Sequence, residues 1–129
     1  MPLHLHFDKT RNFVYTQVEN TVTLEEFESM MTDVVHSKDF APDTNILFDL
    51  TSVDFRTVKT SVAHQGIAIR KKFPERGHAK VALLVSDTLG FGLMRMYEQL
   101  SSQLDQRIMV FLDREEAEKW VQDRQTKSI

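Results

Sequence analysis

Leu3, His4, Leu5, His6 and Phe7 alternate between apolar and polar, which predicts a short strand with Leu3, Leu5 and Phe7 on one face. A polar turn follows over Asp8–Asn12. From Asn12 to Val18, Phe13, Tyr15 and Gln17 fall on one side and Val14 and Val18 on the other, so a second strand returns beside the first as an antiparallel hairpin. The period then becomes helical. Thr23-Leu24-Glu25-Glu26 reads as a capping box, in which the Thr23 hydroxyl and the Glu26 carboxylate each accept a backbone N–H. Leu24, Phe27, Met31, Val34 and Val35 recur at helical spacing behind it, predicting a helix over Leu24–His36. Pro42 and Asp43 mark the next loop.

The middle of the chain reads as strands covered on both faces, separated by helices. Asn45–Leu50 and Ala79–Val85 are nearly continuous apolar runs, as parallel strands buried on both sides require. Between them Val58, Val62, Gly66, Ile69 and Phe73 step by three or four, predicting a helix from Thr57 that ends before Pro74 and Gly77. Ser86-Asp87 opens a third helix. Its expected core stripe is Leu89, Leu93, Met96, Tyr97, Leu100 and Leu104, with Phe91 and Met94 off the stripe. Arg107–Leu112 predicts a fifth strand. Asp113-Arg114-Glu115-Glu116 caps a last helix that buries Ala117, Trp120 and Val121, and Gln122–Ile129 is expected to fray.

The order is therefore ββαβαβαβα. It implies an α/β fold with a mixed, mostly parallel five-stranded sheet, begun by an N-terminal hairpin, with helices packed on it. The 129 residues fit one domain spanning 1–129, with no internal repeat or linker. Cysteine is absent, which excludes disulfide scaffolds, thiolate metal sites and cysteine nucleophiles. No apolar run approaches a membrane span, and Met1–Phe7 lacks the features of a signal peptide. The expected localisation is cytoplasmic.

The formal net charge of −3 hides an asymmetry. Arg56, Lys59, Arg70, Lys71, Lys72, Arg76 and Lys80 face a single acid, Glu75, so residues 56–80 carry +6 and the rest −9. Arg70, Lys71, Lys72 and Arg76 are the candidate contacts to an anionic membrane surface. The competing reading is a solvated helix C-terminus, where cations are favoured. No groove-reading or RNA-stacking motif accompanies the patch, so nucleic acid is not an expected partner.

Catalytic chemistry finds little support. Asp49, Asp54, Asp87 and Asp113 stand at strand ends. Asp49 and Asp87 are placed to flank a ligand there, whereas Asp87 and Asp113 also read as helix N-caps. His4 and His6 share a face but lack a third metal ligand. Ser86 lacks a nucleophile elbow, and Gly90-Phe91-Gly92 has neither phosphate-loop nor dinucleotide spacing. No catalytic residue, metal or cofactor is assigned. The third helix is more informative. Gly90 and Gly92 near its start suit either a loosened first turn or close packing. Phe91, Leu93, Met94 and Tyr97, with Ile69 and Phe73 of the second helix, are the candidate lining of an apolar pocket, Met94 adapting its shape. Ordinary core packing at these positions is the alternative.

The string Leu47-Phe48-Asp49-Leu50-Thr51-Ser52-Val53-Asp54-Phe55 resembles the strand and Asp-Leu-Ser-x-Val turn of STAS domains. Residues 79–85, 90–98 and 110–121 are similar, in order and spacing, to the small stand-alone bacterial proteins of the same SpoIIAA-like superfamily. The resemblance covers most of the chain from about Asn12. It implies a fold related to CRAL-TRIO lipid-transfer domains, and a non-enzymatic protein that binds an apolar or lipid-like ligand with peripheral contact to the inner face of the membrane. A homodimer is the expected assembly. The alternative it implies is a STAS-type regulatory module that binds another protein. Those modules switch by phosphorylation of a Ser whose position falls here on or near Val58, with Thr57 and Thr60 as neighbours, and a phosphoswitch is not expected.

Overall fold

A computed structural model of the chain describes residues 4–20 and 23–122. It contains the strands β1 (His6–Asp8), β2 (Phe13–Asn20), β3 (Ile46–Val53), β4 (Lys80–Leu84) and β5 (Arg107–Phe111). Its helices are α1 (Leu24–Val35), α2 (Ser61–Arg70), α3 (Thr88–Leu100) and α4 (Arg114–Gln122). The sheet order is β1-β2-β3-β4-β5, with β1 antiparallel to β2 and every later pair parallel. The first strand is shorter than its alternation predicts. Leu5 precedes it, Leu3 and residues 123–129 lie outside the described residues, and pairing runs only from His6↔Tyr15 to Asp8↔Phe13.

Sequential parallel strands joined by crossovers of one hand place all their helices on one face. Val14, Val18, Ile46, Phe48, Val81, Leu83, Ile108 and Val110 accordingly form one large core with Met31 and Val34 of α1, Ala63 and Ile67 of α2, and Met94 and Tyr97 of α3. The alternate residues, Phe13, Leu47, Ala82 and Leu84, pack beneath Ala117 and Val121 of α4. Among the described residues, three helices thus cover one face and one helix the other. At the free edge of β5, the Val110 N–H donates to Glu98 Oε1 at 2.9 Å, which occupies an amide otherwise open to another strand.

Two expectations are corrected by the packing of α2 and α3. Helix α2 starts at Ser61, because Asp54 first caps a 3₁₀ turn over Phe55–Thr57 and Val58 is extended. On α3 the buried stripe is Gly90, Met94 and Tyr97, continuing to Ser101; it keeps Tyr97 of the expected stripe and otherwise runs one position later. Leu89 is 51% exposed, and Leu93, Met96, Leu100 and Leu104 sit at the margin of the core. The close approach of Gly90 to Phe55 sets this rotation. A Cβ at Gly90 would lie 2.7 Å from the Phe55 ring, whereas one at Gly92 would meet nothing within 4 Å among the described residues. Gly92→Ala is therefore expected to stabilise the protein by about 0.5–1 kcal/mol. Gly90→Ala is expected to destabilise it by about 1–2 kcal/mol through overpacking. Urea unfolding of the two variants reads both signs, and a shared sign would contradict this placement.

Candidate functional site

A cavity of about 350 Å³ lies between the sheet and helices α1, α2 and α3. Small residues make the room for it. Helix α2 turns Val62, Ala63, Gly66 and Arg70 inward, so two of its four lining side chains are a methyl group and a hydrogen. The sheet contributes Val18, Phe48 and Leu83. A register shift where β3 passes β2 sets two residues of β3, Leu50 and Thr51, against one of β2, Val18, between the pairs Gln17↔Asp49 and Glu19↔Ser52. The added residue is a bulge, and it lets Leu50 and Val53, three apart, both reach the cavity. Phe27, Phe55 and Met94 complete most of the apolar wall.

The cavity has two distinct ends. Thr23, Thr57 and Lys59 are exposed and form its mouth, at the carboxyl ends of the parallel strands, where open α/β sheets place their ligands. Phe48, Leu83, Tyr97 and Arg70 are buried and form its deep end. Arg70 is only 2% exposed. Its Nε donates to the Tyr97 hydroxyl and its Nη1 to Gln106 Oε1 at 2.9 Å. The guanidinium also lies 5.1 Å from the Phe27 ring centroid and 5.8 Å from that of Phe48. Aromatic faces attract such a cation. Gly66 permits the arrangement, since a Cβ there would stand 2.8 Å from Tyr97 Cε1 and push the ring off Arg70.

Of the six residues expected to line a pocket, Met94 and Tyr97 do so. Ile69 and Phe73 are buried in the core beside it, and Phe91 and Leu93 pack against that core from its margin. The reason is the rotation of both helices: α2 offers the Val62–Gly66–Arg70 face and α3 the Gly90–Met94–Tyr97 face. The basic residues are corrected more sharply. Arg70 and Arg76, 2% and 0% exposed, are interior and make no contact with an external surface. Arg76 Nη1 donates to the carbonyls of Pro42 and Thr44 at 2.6 and 2.7 Å, bolting down the loop before β3. Burial, and then the neighbouring charge of Arg70, push the Arg76 guanidinium down to about 9, against the opposing pull of Asp43. Lys80 is buried as well, its ammonium 5.2 Å from the Trp120 ring centroid. Only Lys71 and Lys72 of the four candidate contacts are exposed, at the end of α2 away from the mouth. Lys71 donates to Gln103 at 2.6 Å and Lys72 pairs with Glu28 at 3.3 Å.

The strand-end carboxylates do not converge on a cleft. Asp87 caps α3 through the Gly90 N–H at 2.7 Å, and Asp113 accepts from the Glu115 N–H at 3.2 Å. Asp54 caps its 3₁₀ turn and pairs with Arg56. Asp49 is 1% exposed and lies on the α4 side of the sheet, opposite the cavity. It accepts from Tyr15 Oη at 2.6 Å, Thr51 Oγ1 at 2.6 Å, the Thr51 N–H at 3.0 Å and Arg114 Nη2 at 2.7 Å. Burial raises its pKa, but the hydrogen bonds from Thr51, Tyr15 and Arg114 outweigh burial and hold it at about 2. His4 and His6 are exposed. Among the described residues no helix is long and apolar enough to cross a membrane.

Sequence reasoning missed Arg70 as an interior residue, although a signal was present. Val62, Gly66 and Arg70 repeat every four residues, so the face that carries the apolar step also carries the arginine. Fold and cavity together define an α/β protein with an apolar internal site that opens at the carboxyl ends of its strands. The chain matches no family model, no curated protein and no solved structure.

Proposed function

We propose that this chain is a SpoIIAA-like protein that holds an apolar or lipid-like small molecule in the cavity and does not transform it. The observation that carries the reading is the cavity itself: about 350 Å³, walled almost wholly by aliphatic and aromatic side chains. That size lies within the range of small-molecule sites. The resemblance of Leu47–Phe55 and of the later strings to SpoIIAA-like proteins supports the same class. Contact with an anionic membrane has narrower support, the exposed Lys71 and Lys72 just after α2.

Native mass spectrometry of the purified protein, before and after incubation with decanol, tests the reading. The expected result is a bound increment carried by the folded protein and released on denaturation. A protein that stays at the mass of the bare chain with decanol in excess would overturn it. The same spectrum counts the copies in the assembly.

A further inference from the structure

We propose that the molecule in the cavity is a monocarboxylate with an apolar tail, bound with its head inward on the Arg70 guanidinium and its tail toward the mouth. This rests on the reading of the cavity as an apolar-ligand site and adds the chemistry of the head group. Arg70 is a fixed positive charge in an almost wholly apolar chamber. Its two hydrogen bonds go to neutral groups, Tyr97 and Gln106, and no Asp or Glu of the described residues pairs with it. Nη2 donates to nothing among the described residues. An uncompensated buried charge is strongly unfavourable, and a carboxylate on the guanidinium fork relieves it through charge-assisted hydrogen bonds. A single guanidinium on the wall suits a single negative charge. The residues that lie between Arg70 and the mouth set the tail. Val62 and Arg70 are two turns apart on one face of α2, a span of about 12 Å, which a medium-length alkyl chain fills.

Decanoate and decanol differ in the head group and share the tail, so isothermal titration calorimetry of the whole chain with each isolates the head. At neutral pH decanoate is expected to bind at least about tenfold more tightly than decanol. In Arg70→Met that ratio is expected to fall to about one. A ratio near one in the unaltered protein overturns the carboxylate and leaves the apolar site standing. A preference that survives Arg70→Met places the head elsewhere, at Lys59 for example, and equally overturns it. Failure of both compounds to bind overturns the apolar site itself. Because Arg70→Met removes two buried hydrogen bonds, a second measurement uses the unaltered protein alone. The carboxyl carbon of isotopically labelled decanoate, followed by NMR, is expected to titrate at lower pH when bound than when free. Titration at or above the free value contradicts the pairing with Arg70.

Discussion

Asp49→Ala is expected to lower the unfolding free energy by about 3 kcal/mol, near the low end for breaking a buried ion pair. The low end applies because the Arg114 side chain is 47% exposed and rehydrates when its partner is removed. Most of the loss comes from the three other donors that Asp49 collects, Tyr15 Oη, Thr51 Oγ1 and the Thr51 N–H, which lose their shared acceptor inside the protein. Arg114 is the first residue of α4, so the same change unpins that helix from the sheet. Amide exchange within α4 is expected to accelerate more than exchange within α2. Asp49→Asn separates charge from shape. The folded-state pKa of about 2 lies below the ordinary 3.8, so the carboxylate contributes stability that is fully present above about pH 4. That contribution, roughly 2 kcal/mol, is lost as pH falls toward 2. Urea unfolding between pH 7 and pH 2 is expected to show a shallower acid decline for Asp49→Asn. An unchanged decline would contradict the role given to this carboxylate.

Ala63→Leu is expected to weaken the binding of decanol at least about tenfold while changing stability by less than about 1 kcal/mol. Ala63 is buried on α2 and lines the cavity. In a close-packed interior, enlarging an alanine by three carbons costs about 1–3 kcal/mol. Here the new side chain enters space that a ligand would otherwise take, and its own burial offsets the strain. Ala82→Leu is the matched comparison. Ala82 is equally buried, but it lies beneath α4 on the opposite face of the sheet. That variant is expected to lose about 1–3 kcal/mol and to bind decanol as the unaltered protein does. Calorimetric titration beside thermal unfolding reads both quantities. Equal effects of the two substitutions would mean that the cavity is not the binding site.

Local chemistry made much of the fold legible. The Thr23–Glu26 capping box, the Asp87 cap and the alternating faces of β2 each depend on near neighbours, and the structure contains all three. The continuous apolar runs of β3 and β4 signalled parallel strands because both faces are covered. What escaped depends on contacts between distant segments. The stripe of α3 turns on the meeting of Gly90 with Phe55, which no period within α3 contains. The basic segment read as a surface because charge is ordinarily solvated. Arg70 is held inside by Tyr97 and Gln106, and Arg76 by the carbonyls of Pro42 and Thr44, partners 27 to 36 residues away. Half of the anionic-surface site therefore became interior. The pocket kept Met94 and Tyr97 and gained the small face of α2, whose emptiness shows only against the sheet.

The methionine methyl groups give the most direct test of the central claim, that the cavity takes an apolar molecule. Met94 lines the cavity, whereas Met109 is exposed on β5 and Met96 lies outside the lining. In protein labelled at the methionine methyl carbons and titrated with decanol, the Met94 resonance is expected to move saturably while those of Met96 and Met109 stay in place. A still Met94 resonance up to the solubility of decanol, or a shift confined to Met109, would contradict the account.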